Sequence, residues 1–178
     1  MEAIMNVAAF RARYPDWLEA TRPVLEAKNW KEAFKTYPFV VNAHAPWTPL
    51  TKPLAECRVA LLSTAGAYVK DEQPPFDAEN IEGDWTVREI PTDVDYAQLE
   101  LAHTHYDHAR ADQDLNCVFP LQRLRELVAE GVIGSLAARH YSISGYCTTA
   151  DKVAEHTAPQ VAMRAKQDAV DAVLHVPV

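Results

Sequence analysis

The most continuous apolar stretch is Val59-Ala60-Leu61-Leu62-Ser63, which shows no alternation and so reads as a strand buried on both faces. Thr64-Ala65-Gly66-Ala67 follows as a turn. Residues 85–90 alternate, predicting a second strand that Pro91 ends. Leu121, Leu124, Leu127 and Val128 share one face of a helix, with Pro120 at its first turn and Gly131 after its end. Residues 132–138 and 139–143 read as one or two short strands. Residues 151–156 read as a separate helical turn before a helix over 159–169, whose packing stripe is Val161, Ala162, Ala165 and Ala169. Ala172-Val173-Leu174-His175-Val176 is a final buried strand. Strands alternating with helices at this spacing predict an α/β fold: a mostly parallel, Rossmann-like or flavodoxin-like sheet flanked by helices.

The first 36 residues carry apolar positions at helical spacings. Pro15 and Pro23 are expected to divide them into short pieces, since proline is tolerated in a first turn but not mid-helix. Between Tyr37 and Pro53 the chain holds Pro38, Pro46 and Pro49, an extended connector. The organisation predicted is an N-terminal helical extension, 1–45, and an α/β domain, 46–178.

Composition narrows the function classes. Seventeen Lys and Arg face 25 Asp and Glu, a net charge of −8, with no basic cluster to displace counterions. Nucleic acid and anionic membrane surfaces are therefore not expected partners. The longest apolar run is about half of the roughly 20 residues needed to span a bilayer. The N-terminus lacks a signal-peptide pattern, and a cytoplasmic location is expected. Cys57, Cys117 and Cys147 are widely spaced, with no CxxC pair, which suits reduced thiols.

Three clusters could carry chemistry. His103-Thr104-His105-Tyr106-Asp107-His108 holds three of the seven histidines. In an extended segment H-x-H places two rings on one side, so His103, His105, Asp107 and His108 are candidate ligands for a divalent transition metal, zinc or iron. The string also reads H-x-H-x-D-H, as in the metallo-β-lactamase fold. That fold needs a long upstream β-layer and further downstream ligands that this chain does not show. The bland alternative is a polar loop whose histidines hydrogen-bond above the sheet. In the second cluster, Asp114 and Asn116 either cap the helix near Pro120 or bind substrate in the same pocket. In the third, Arg139 is a candidate carboxylate clamp and His140 a candidate acid/base, expected at the carboxyl end of a strand beside the histidines. Cys147 is a candidate nucleophile and Tyr106 a candidate catalytic hydroxyl, although a lone cysteine is more often a small buried hydrophobe. No GxGxxG, Walker or G-x-S-x-G pattern occurs, so no nucleotide or flavin motif is written here.

Several strings resemble one family in order: Pro49-Leu50-Thr51-Lys52-Pro53-Leu54, Arg58-Val59-Ala60-Leu61, Thr64-Ala65-Gly66 and Ile90-Pro91-Thr92-Asp93-Val94-Asp95. His103-Thr104-His105-Tyr106-Asp107, Asp114-Leu115-Asn116, Val118-Phe119-Pro120, Arg123-Leu124 and Gly131-Val132-Ile133-Gly134 continue the series. Together they resemble the selenoprotein B component of glycine, sarcosine, betaine and D-proline reductases, from about residue 46 onward. The resemblance implies reductive cleavage of a C–N bond α to a carboxylate, with a selenocysteine or cysteine nucleophile. It carries His103, His105, Tyr106, Asp107, Asp114 and Asn116 as site candidates. The family's redox residue follows the stretch that reads here 170–178. The resemblance therefore implies a scaffold whose thiol is Cys147, Cys117 or a partner's. The partners expected are a small amino-acid-like substrate, a redox protein and a second copy of the chain. A metal-dependent enzyme of different chemistry and a non-catalytic paralogue are the alternatives.

Overall fold

A computed structural model describes residues 2–39 and 47–178, so part of the proline-rich connector, 40–46, lies outside the described residues. The chain forms two compact units, Met1–Thr48 and Pro49–Val178.

In the first unit, helix α1 (Glu2–Glu26) runs unbroken through Pro15 and Pro23, contrary to the expected division into pieces. Each proline removes one backbone hydrogen bond, and aromatic packing offsets the loss. The Trp17 ring stands edge-on to Tyr37 at 4.8 Å and lies 5.6 Å from Tyr14 and 5.9 Å from Phe34. Its indole N–H donates to the Ala33 carbonyl at 3.3 Å, tying α1 to the short helix α2 (Trp30–Ala33).

The second unit is built on β1 (Arg58–Ser63), followed by β2 (Ala67–Val69), β3 (Val87–Pro91) and β4 (Leu99–Leu101). Then come α3 (Leu121–Ala129), β5 (Ser135–Leu136), β6 (Arg139–Ile143), α4 (Ala150–Lys152), a π-helical turn (Val153–Thr157), α5 (Ala158–Gln167) and β7 (Ala172–Val176). The turn expected over 151–156 is thus continuous with the helix after it. Strand β7 pairs in parallel with β1 along Val59 to Ser63. The other edge of β1 pairs in parallel first with β5 and then with β6, while β3 is antiparallel to β6. The sheet is mostly parallel and flanked by helices, an α/β fold. Strands β2 and β4 form a separate antiparallel pair.

Alternate β1 side chains serve the two faces. Val59 and Leu61 join Ile90, Phe119, Leu121 and Leu124 under α3. Ala60 joins Tyr141, with Val161 and Ala165 of α5, on the other side. Arg139 locks this second face, donating to Asp168 at the end of α5 and to Glu89 of β3, both at 2.8 Å. Arg164 reaches the same Glu89 at 3.1 Å. No helix among the described residues is long and apolar enough to cross a membrane.

The join between β5 and β6 is irregular. Val59 pairs with Leu136 and Leu62 with Tyr141, so two extra residues are inserted opposite β1. The inserted stretch takes the Leu61 N–H out of the ladder. His140 Nδ1 accepts that N–H at 3.0 Å, while Nε2 contacts Thr92 Oγ1 at 3.2 Å. The imidazole is fully buried, and burial, followed by the Arg125 charge, pulls its pKa down to about 4.

Two predictions follow from this packing. The folded state favours neutral His140, whereas the unfolded chain protonates near pH 6.5. Between those values the unfolded state binds more protons, so this contribution is complete above pH 6.5 and is lost as pH falls towards about 4. Urea melts across that window should lose about 3 kcal/mol from this group, and His140→Gln should flatten the slope. Separately, Gly83 sits at φ +78, and a Cβ there would lie 2.2 Å from the Tyr146 carbonyl oxygen. Gly83→Ala should cost at least ~2 kcal/mol by denaturant titration.

Candidate functional site

Parallel pairing sends the carboxyl ends of β1, β6 and β7 to one edge of the sheet, where α/β proteins gather their functional loops. After β1 the chain turns at Gly66, φ +72, whose N–H donates to the Ile143 carbonyl at the end of β6. Ala102 N–H donates to the Gly66 carbonyl at 2.9 Å. A Cβ on Gly66 would lie 2.6 Å from the Ala102 carbonyl oxygen and 3.3 Å from the His103 Cβ. The absence of a side chain at Gly66 therefore lets the histidine loop sit directly on the end of β1. Beneath it, Ser63 Oγ donates to the Val118 carbonyl at 2.6 Å and accepts the Ala65 N–H.

His103 is 7% exposed. Its Nδ1 accepts the His105 N–H at 3.1 Å, and its Nε2 is buried with no hydrogen-bond partner among the described residues. Burial, then the neighbouring His105 and His108, lower its pKa. Tyr106 touches two imidazoles: its ring lies 4.8 Å from His103 and stacks on His108 at 4.3 Å. Its hydroxyl donates to the Ala65 carbonyl at 3.3 Å, and burial, reinforced by Asp112, pushes its pKa up to about 12. The His108 Nε2 is also buried without a partner. His108 edges a hollow of about 440 Å³ together with Tyr96, Glu100, Leu101, Asp112 and Leu115.

The four expected metal ligands do not form one set. The His105 ring turns away to stack on Tyr146 at 3.9 Å with an 8° interplanar angle. Asp107 accepts the Ala109 N–H at 2.9 Å instead of facing the rings. Among the described residues, no group of three His, Cys, Asp or Glu side chains is placed to hold a metal ion. The geometry follows from the loop: it is not an extended strand, so H-x-H spacing does not align its rings.

Arg139 and His140 do not join this edge. They begin β6, opposite Pro91 and Ile90, and so lie at the amino end of the strand. Arg139 is engaged by Glu89 and Asp168, and both His140 nitrogens are occupied within the sheet. The expectation of one pocket shared with the histidines is thereby corrected: residues 139–143 form the strand itself, and its carboxyl end is Ile143. Asp114 accepts from the backbone N–H and side-chain amide of Asn116 at 2.9 and 2.8 Å, capping a 3₁₀ turn (Leu115–Cys117). These bonds from Asn116 lower the Asp114 pKa. Asn116 also donates to Gln122 at 2.9 Å. Cys147 does belong to the carboxyl edge, on the loop after β6, where its Sγ lies 3.3 Å from Thr149 Oγ1.

Sequence reasoning gave no role to Gly66 or Tyr146. Thr64-Ala65-Gly66 was legible as a turn, but nothing local marks the residue on which a loop 36 positions later will rest. Tyr146, adjacent to Cys147, is joined to the histidine loop by its stack on His105 and fixed by a 3.0 Å hydrogen bond to the Ile81 carbonyl.

Comparison with known proteins agrees with the motifs. D-proline reductase subunit gamma of Acetoanaerobium sticklandii is 36% identical over 128 residues, 72% of this chain and 51% of that protein. Glycine reductase complex component B subunit gamma of Carboxydothermus hydrogenoformans is 30% identical over 154 residues, 85% of this chain and 35% of the relative. Betaine reductase complex component B subunit beta of Peptoclostridium acidaminophilum is 26% identical over 172 residues, 91% of this chain and 39% of the relative. The chain thus spans about half the length of the first relative and less of the others. No solved structure gives a significant match. The sequence profile of glycine/sarcosine/betaine reductase selenoprotein B matches residues 20–177, and the chain belongs to that family.

Proposed function

We propose that the chain is a subunit of a reductase complex and holds a small amino-acid-like substrate at the carboxyl edge of its sheet. The reaction is reductive cleavage of a C–N bond α to a carboxylate. The substrate takes up two electrons and two protons, and the dithiol of a partner redox protein supplies them as it closes to a disulfide. Within this chain Cys147 is the best-placed thiol, since its loop is joined to the histidine loop through Tyr146 and His105. Cys57 is buried, with its Sγ directed to the Lys52 and Pro53 carbonyls.

One observation carries the reading. In a family of glycine, sarcosine and betaine reductase components, this chain carries a buried imidazole, His103, whose Nδ1 accepts a backbone N–H and whose Nε2 has no partner among the described residues, where the β1 and β6 loops meet. A buried polar atom without a partner costs roughly 1–3 kcal/mol, which favours any ligand that supplies one.

Calorimetric titration with glycine, sarcosine, betaine and D-proline should show millimolar or tighter binding of at least one of them. His103→Ala should weaken it at least tenfold, about 1.4 kcal/mol, with the melting temperature held within a few degrees. If the chain binds none of the four, the reading fails.

A further inference from the structure

We infer that His103, Tyr106 and His108 form a closed site for a carboxylate, with the His103 Nε2–H as its committed donor and Tyr106 as its cover. The inference deepens the proposed function, and rests on that reading for the identity of the carboxylate's bearer.

The tautomer follows from the backbone. His103 Nδ1 accepts the His105 N–H at 3.1 Å, so that nitrogen carries no proton. A neutral imidazole then has its hydrogen on Nε2. That N–H is a donor, it belongs to a side chain that is 7% exposed, and nothing among the described residues accepts from it. Its complement is an oxygen with lone pairs, not an ammonium group. His108, whose Nε2 is the second buried nitrogen without a partner among the described residues, stacks on the same Tyr106 ring. With its proton on Nε2, His108 offers a second donor, and two donors suit the two oxygens of a carboxylate.

Tyr106 controls access to both. Among the described residues its hydroxyl hydrogen-bonds to the Ala65 carbonyl alone, at 3.3 Å long for an O–H···O bond. Releasing that contact lets the ring move off the imidazoles, and the oxygens of the incoming ligand replace it. The flanking residues Thr104, His105 and Asp107 are exposed, so the segment has solvent on its outer side into which the ring can swing. Tyr106 packs against both His103 and His108, and among the described residues the dense imidazole cluster assembles no metal-holding group.

The test is nitrogen-15 NMR of the full chain labelled at histidine, titrated with acetate, glycine and methylamine. Acetate and glycine should move the His103 Nε2–H resonance and leave Nδ1 in its acceptor state, while methylamine leaves both unchanged. His103→Leu should weaken acetate at least tenfold, and His103→Gln, which retains a side-chain N–H donor, should recover part of that loss. Equal shifts with methylamine, or undiminished acetate binding by a folded His103→Leu variant, would overturn the site. So would one equivalent of Zn²⁺ capturing both Nε2 atoms while acetate has no effect. Acetate binding at His103 with no affinity for any of the four amino-acid substrates would retain the carboxylate site and defeat the proposed function.

Discussion

The architecture of the α/β unit depends on the pairing of β1 along both of its edges. Its five inner residues, Val59 to Ser63, are covered by β7 on one edge, and the other edge is shared between β5 and β6. A parallel strand paired on both edges keeps its backbone from water, and four of these five side chains are buried with Leu62 half-buried, which is why it is written as an unbroken apolar run. The insertion between β5 and β6 interrupts this arrangement. An unpaired amide at the centre of a sheet costs more than a missing surface hydrogen bond, because water cannot replace the partner. His140 repairs the defect with a side-chain nitrogen, and in doing so becomes part of the sheet. Thr92, immediately after β3, holds the other nitrogen and thereby links the antiparallel strand to the repair.

That pairing also locates the site. Because β6 and β7 run parallel to β1, their carboxyl ends emerge together, and the loops that follow meet there. Gly66 is the contact point: it has no Cβ to hold the histidine loop away. The loop is then held from several directions. Tyr106 bonds to Ala65, Thr104 donates to the Ala78 carbonyl at 2.9 Å, and His105 stacks on Tyr146. These are weak contacts individually, and they order a segment with no ladder of its own while leaving two imidazole nitrogens uncommitted. The opposite, amino-terminal end of β6 is handled in another way, by the charged Arg139, Glu89, Arg164 and Asp168 network that fastens α5 to the sheet. One end of the same strand is thus closed by ion pairs and the other left to loops.

Much of the fold was legible because periodicity reports burial directly. The apolar run of β1, the Leu121/Leu124 face of α3 and the Val161/Ala165 face of α5 appear where the pattern puts them. The last strand forms at its expected position but is not the buried strand its apolar run predicts: among the described residues β7 pairs only with β1, and Val173, Leu174 and His175 are exposed at the sheet edge. Strands β2 and β4 were not legible, since three residues are too few to display alternation. Helix α1 was read as broken because proline rules are local, and the Trp17 packing that offsets the lost hydrogen bonds is not. In the candidate site, the dense histidine string was visible as chemistry, but its geometry was not. Arg139 and His140 were expected at the carboxyl end of a strand because residues 132–138 before them also read as a strand, whereas they begin β6 after the two-residue insertion.

By itself, then, the sequence determined the α/β class, the buried central strand, the flanking helices and the family, because each of these is encoded in local spacing or in ordered short motifs. Tertiary structure alone decided that His140 serves the sheet and not its carboxyl edge, that the four candidate ligands diverge, and that His103 Nε2 has no hydrogen-bond partner among the described residues. Those outcomes turn on which residues meet across tens of positions in the chain. Strand order and the close approach at Gly66 settle such meetings, and no local pattern of side chains records either.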